Sequence, residues 1–169
     1  MRLLHYSNDF TYNPDATYEQ EKANRRSGLK PKGFWVSVEG EDDWPHWCTE
    51  DNVSPWRAST IEHPYEVTLS ADAHILYLTG YSDMQAFENR WGKDDLVWHD
   101  VAIDWHGVAQ EYDGIIIAPY QWSCRMDMFW YYTWDVASGC IWNLSAIACV
   151  DDVSELEAAK RHEKEELFS

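Results

Sequence analysis

Apolar residues fall into short blocks separated by polar or turn-forming stretches, and the blocks alternate between strand-like and helix-like spacing. Leu3-Leu4-His5-Tyr6-Ser7 reads as a short strand that closes on polar residues. Phe34-Trp35-Val36-Ser37-Val38, entered through Pro31 and Gly33, has the aromatic and β-branched content of a second strand. In a strand Phe34, Val36 and Val38 share one face, and Trp35 and Ser37 share the other. Tyr65–Leu69, His74–Leu78, Ile115–Ile117 and Gly139–Trp142 are further strand candidates. Tyr18 to Arg26 has helix-forming composition and predicts one or two turns ended by Asn24 to Gly28. Ser82-Asp83 reads as a helix cap ahead of Met84, Phe87 and Trp91, with Gly92 as the stop. Ile103 to Ala109 predicts a second short helix, and Asp113-Gly114 a turn. Glu39 to Ser59 carries Gly40, Pro45, Pro55 and three tryptophans, which predicts a loop that folds back on the body.

From Asp151 to Phe168 the chain predicts a charged, solvated helix with acids early and Lys160, Arg161 and Lys164 late, an order that suits the helix dipole. Glu157 and Arg161 stand in the favourable i,i+4 order. Short strands between a few helices predict a single α+β domain over residues 1–150, with a mixed or mainly antiparallel split sheet and peripheral helices. Residues 151–169 form the charged helix packed on it or extending from it.

Composition adds constraints. A chain of 169 residues is long enough to bury its own core, and no run approaches the ~18 apolar residues of a membrane span. The opening Met1-Arg2-Leu3-Leu4-His5-Tyr6 lacks the apolar region of a secretory signal, so a soluble cytoplasmic protein with no membrane partner is expected. Cys48, Cys124, Cys140 and Cys149 show no paired spacing and read as free thiols. The net charge of −17 disfavours stable binding of duplex nucleic acid. It is unevenly spread: residues 1–40 carry +1 and the remaining 129 carry −18. An anionic small molecule is therefore best tolerated by the N-terminal quarter.

Nucleotide-binding glycine loops, zincin and hydrolase motifs and the zinc deaminase pattern are missing. His46 and Cys48 lack a second ligand pair, so no metal is expected. What remains is an ordered constellation: His5 after a first strand, then Gly33-Phe34-Trp35-Val36-Ser37, then acids at Glu111, Asp113 and Asp135. This order resembles the ADP-ribosyltransferase-like superfamily, which splits NAD at the nicotinamide–ribose bond. The resemblance covers about the first 150 residues in layout, and only its first two motifs match residue by residue.

The resemblance implies that His5, with Tyr6 and Ser7 beside it, holds the ribose side of NAD. It implies that Trp35 stacks on nicotinamide, with Gly33, Phe34 and Ser37 completing the strand motif, and that a second aromatic wall comes from Trp47, or less favourably Trp44. Arg25, Arg26, Lys30 or Lys32 would answer the pyrophosphate. The third motif departs from the family, because Gly139-Cys140-Ile141-Trp142 has no Glu at its head. Asp135 and Glu111 rank level as the catalytic carboxylate, and Asp113 ranks lower because Asp-Gly is first a turn. The expected activity is NAD-dependent ADP-ribosyl transfer, or NAD glycohydrolysis, with NAD as substrate and an unknown macromolecular or small-molecule acceptor. The competing expectation is a non-enzymatic acidic protein that inhibits a nucleic-acid-binding partner with carboxylates in place of phosphates.

Overall fold

Seven strands form one mixed sheet in the order β4-β7-β8-β2-β1-β3-β9, beside a separate two-stranded antiparallel sheet of β5 and β6. The description comes from a computed structural model, which describes residues 1–22, 29–49, 53–95 and 100–168. The strands are β1 (Leu3–Tyr6), β2 (Phe34–Val38), β3 (Pro64–Leu69), β4 (Ile75–Leu78), β5 (Gly92–Asp95), β6 (Asp100–Ile103), β7 (Gly114–Ile117), β8 (Ser138–Ile141) and β9 (Ile147–Asp152). The helices are α1 (Trp44–Cys48), α2 (Pro55–Ser59), α3 (Tyr81–Trp91), α4 (Trp105–Ala109), α5 (Trp122–Arg125) and α6 (Ser154–Phe168).

β7 and β8 are buried along their whole length and occupy the sheet interior, which is why Ile115-Ile116-Ile117 reads as an unbroken apolar run. Every sheet pairing is antiparallel except β4 with β7. That parallel pair needs a crossover, supplied by α3, the β5–β6 hairpin and α4. The aromatic block Phe129 to Asp135 opens with a 3-10 turn over Phe129–Tyr131, and its Trp130, Tyr131 and Trp134 are fully buried. Three buried indoles find acceptors: Trp130 donates to Glu88 (2.9 Å), Trp134 to the Leu29 carbonyl (3.3 Å) and Trp142 to the Tyr112 carbonyl (2.6 Å).

Several expectations change. Residues 18–22 are not helical, because the Gln20 side chain brackets the Lys32 backbone from both sides (2.6 and 2.9 Å) and holds the segment along the entry to β2. Residues 23–28 lie outside the described residues. The 39–59 stretch holds α1 and α2, each opened by an acid or hydroxyl cap and an early proline: Asp43 with Pro45, and Ser54 with Pro55. α3 is capped at Gly80, while Asp83 reaches back to the Thr79 N–H and hydroxyl, both at 2.8 Å.

Asp151 and Asp152 belong to the edge strand β9, so α6 begins at Ser154. Glu157 pairs with Arg2 (2.9 Å) and Lys160 (2.8 Å) rather than with Arg161, whose guanidinium donates to the Ile61 carbonyl (3.1 Å). Arg2 also holds Glu39 and Glu66 at 2.9 Å, tying α6 back to the sheet. Among the described residues no helix is long and apolar enough to cross a membrane.

Candidate functional site

The site begins at a notch between β1 and β2. Their ladder pairs Leu3 with Val38 and Leu4 with Ser37, then stops, while β1 continues beside β3 as far as Tyr6. Continued two steps, that register would set Tyr6 opposite Trp35. Instead the Trp35 carbonyl receives the His5 ring, with Nδ1 2.8 Å away. A carbonyl only accepts, so Nδ1 carries the proton. Burial pushes the His5 pKa down, opposed by the hydrogen bond to Trp35, which leaves a neutral ring with Nε2 as a bare acceptor.

Beside the notch lies a cleft of about 340 Å³, within the size range of small-molecule sites. Trp35 and Ser37 line it from β2, Tyr6 from β1, Trp44 from α1, and Asp135 with Ser138 from the segment entering β8. Lys30 also lines the cleft, with its ammonium over the Trp35 ring, 5.2 Å from the ring centroid. Although Lys30 is exposed as a whole, desolvation of that ammonium lowers its pKa, countered in part by Asp135. Behind Trp35 the buried Trp134 ring packs edge-on at 4.9 Å and fixes the plate.

Ser37 is buried, and its hydroxyl oxygen accepts the Trp44 backbone N–H at 2.9 Å. The Trp44 indole donates to Thr60 (2.7 Å), whose hydroxyl donates to the Arg57 carbonyl (2.6 Å). These bonds clamp α1 and α2 against β2 and make Trp44 the second aromatic wall of the cleft. Asp135 is held from outside by Arg125 at 3.4 Å. Arg125 is itself set among Tyr132 (5.5 Å), Tyr120 and Trp122 (both 6.0 Å) and donates to the Tyr120 hydroxyl at 3.0 Å.

The constellation expected from the sequence is thus brought together in part. Trp35, Ser37, Tyr6 and Asp135 share the cleft, and His5 reaches it at the notch. The His5 ring does not face Trp35 across the cleft: it stacks on Phe34 (4.5 Å) and lies against Phe10 and Tyr65, on the other side of the sheet. Phe34 is accordingly core. Gly33 is required by β8, since a Cβ there would sit 2.6 Å from the Cys140 sulfur and 2.7 Å from the Ile141 carbonyl oxygen.

Glu111 is away from the cleft, where Arg90 binds it through both oxygens at 2.6 Å. Asp113 is a structural turn residue that accepts the His74 N–H (2.8 Å) and the Asn143 amide (2.7 Å). Lys32 points to Glu21 (2.6 Å), because its backbone is fixed by Gln20. Ser7 gives its N–H to His63 and does not line the cleft. Trp47 walls a neighbouring pocket instead, since its place beside Trp35 is taken by Trp44. Arg25 lies outside the described residues.

Arg125 and Ser138 were not legible as site residues. Arg125 had one signal, a single cation inside an aromatic block; Ser138 had none. Among the described residues no group of three or more His, Cys, Asp or Glu side chains is placed to hold a metal ion. No family model matches the chain, and it has no match among curated proteins or solved structures, so this cleft is read from its own residues.

Proposed function

We propose that the cleft binds NAD and that the protein cleaves its nicotinamide–ribose bond, as an ADP-ribosyltransferase or NAD glycohydrolase. The observation that carries this reading is the convergence on one cleft of Lys30, Trp35 and Ser37 with Asp135, about a hundred residues further along the chain. The competing reading, an acidic inhibitor, calls for a convex carboxylate face and gives no use to an aromatic-walled cleft with a cation inside.

The chemistry follows from the placement. The nicotinamide ring of NAD is cationic and planar, which suits the Trp35 and Trp44 walls; such a contact contributes roughly 0.5–2 kcal/mol. The pyrophosphate draws the Lys30 ammonium off the Trp35 ring and frees that face. The bond from ribose C1′ to the ring nitrogen breaks with its electron pair leaving on nicotinamide, which becomes neutral. The ribose develops oxocarbenium character, and the Asp135 carboxylate stabilises it through space. Arg125 holds Asp135 toward the cleft. His5 supports the edge of the cleft by holding the Trp35 carbonyl at the notch. An acceptor nucleophile, or water, then forms the new bond to C1′ and releases its proton.

Calorimetric titration of the full chain with NAD tests the binding half. Saturable binding is expected, weakened roughly 2- to 30-fold in Trp35→Ala if the plate supplies the cation–π energy above. No binding by the parent at millimolar NAD would overturn the reading.

A further inference from the structure

The two edges of the large sheet are built differently. β9 ends on Asp151 and Asp152, and its pairing with β3 slips between Thr68 and Leu69; both features discourage a further strand. β4, at the other edge, reads Ile75-Leu76-Tyr77-Leu78, with no charge, no proline and no slip in register. We infer that the free edge of β4 is a docking site for an extended basic segment of a partner protein, which joins the sheet as an antiparallel strand and drops one large apolar side chain into the cavity between β4 and α3.

The backbone sets the register. The His74 carbonyl accepts from the Asp113 N–H (2.8 Å) and the Leu78 carbonyl from the Ala118 N–H (3.2 Å), so His74, Leu76 and Leu78 turn their backbone groups to β7. Ile75 and Tyr77 therefore turn theirs outward, and no backbone group among the described residues bonds them there. The next outward donor, the Thr79 N–H, is closed by Asp83 (2.8 Å). An added antiparallel strand exchanges bonds with Ile75 and Tyr77 through two of its residues, and the residue between them stands opposite Leu76 on the same face of the sheet.

That face holds a cavity of about 230 Å³, with Leu76, Ala86, Phe87, Trp91 and Tyr112 in its walls. Its volume lies below the ~300 Å³ at which small-molecule sites begin, and its apolar lining suits a single large side chain on a docked strand. Tyr77, 46% exposed in an otherwise apolar strand, is the ring such a strand would cover.

Charge selects the partner. Arg90, also in the cavity wall, is held by Glu111 through both oxygens and lies over Trp91 (4.5 Å), so it calls for no anion. Asp83 bonds Thr79 and, among the described residues, pairs with no cation. A basic residue two positions from the apolar one stands opposite Leu78, on the Asp83 side of the cavity. A second copy of this chain, itself at −17, is repelled from the same edge. β7 and β8 separate β4 from β2, so the site is independent of what the cleft binds.

The fluorescein-labelled peptide Thr-Lys-Thr-Leu-Thr-Lys-Thr is the probe, titrated with the full chain and read by anisotropy. Saturable binding is expected, weakened roughly tenfold when the two threonines beside leucine are N-methylated and roughly fivefold when leucine becomes serine or both lysines become glutamate. Tyr77→Pro removes an outward N–H and spares the bonds to β7, while Ala86→Phe, at an exposed helical position, fills the cavity; each is expected to cost roughly fivefold. Thermal melting verifies that both variants fold, and the N-methylated peptide makes the strand-pairing test on the parent chain. No saturable binding, equal binding of the N-methylated or serine peptide, or unchanged affinity in either folded variant would overturn the inference. So would a dimer of the free chain in sedimentation that Tyr77→Pro dissociates, since a second copy would then own the edge.

Discussion

Replacing Ser37 with alanine separates two roles that one hydroxyl can fill. In the structure its oxygen accepts the Trp44 N–H at 2.9 Å, at a residue only 7% exposed, and Trp44 opens α1. The first-turn N–H groups of a helix have no partner within it, so the serine supplies one. Removing it leaves a partly buried donor unpaired, at a cost of about 1–3 kcal/mol. For a chain of this length each kcal/mol moves the Tm by about 2–4 °C, so a drop of about 2–12 °C is expected. The Trp44 wall also loosens, because the Thr60 bond at 2.7 Å is then the remaining polar tie of that residue to its surroundings. Melting followed by circular dichroism reads the stability, and acrylamide quenching of tryptophan fluorescence reads the wall; both are expected to change, and Ser37→Thr is expected to restore much of the Tm. A Ser37→Ala protein that melts within 1 °C of the parent while losing NAD affinity would refute the clamp and return the hydroxyl to the role of ligand contact alone.

Three further outcomes test the surrounding structure. The His5 pKa is lowered in the fold, so the unfolded chain binds more protons at mildly acid pH; the contribution is complete above about pH 6.5 and is lost as pH falls toward the folded value. Urea midpoints of the parent and His5→Gln are therefore expected to converge between pH 8 and pH 5, and a constant gap would contradict the buried neutral ring. Gly33→Ala places a Cβ against the Ile141 carbonyl oxygen, which cannot retreat without moving β8, so a loss of about 1–3 kcal/mol in urea unfolding is expected, only partly relieved by adding Cys140→Ala. Cys48, Cys124 and Cys140 are buried with pKa values raised by desolvation, Cys48 to about 11, whereas Cys149 is exposed. An aromatic disulfide reagent is expected to titrate one thiol in the native chain and four in denaturant, and two or more fast native thiols would show that this packing is wrong.

Six strands of the large sheet were legible because each is a short apolar run bounded by turn residues, as in Phe34–Val38 and Ile115–Ile117, whereas β5 and β6 were not, since Gly92-Lys93-Asp94-Asp95 is polar and Ile103 reads with the helix that follows it. The exceptions have physical causes. Residues 18–22 carry helical composition, but one side chain, Gln20, binds the Lys32 backbone and overrides it. β9 was missed because Ile147–Asp152 ends in two acids, which an edge strand tolerates on its exposed side. In the site, Trp35, Ser37 and Asp135 were legible from order along the chain, while Glu111 and Lys32 were indistinguishable from them until ion pairs to Arg90 and Glu21 placed them elsewhere. The facing of His5 depended on where the β1–β2 ladder ends, and no local pattern encodes that break.

Release of nicotinamide from NAD by the parent, Asp135→Asn and Glu111→Gln, measured side by side, tests the central claim most directly. The cleft reading predicts release by the parent, at least a hundredfold slower release by Asp135→Asn with NAD binding retained, and a parent-like rate for Glu111→Gln. Release that persists in Asp135→Asn, or that is lost only in Glu111→Gln, would contradict it.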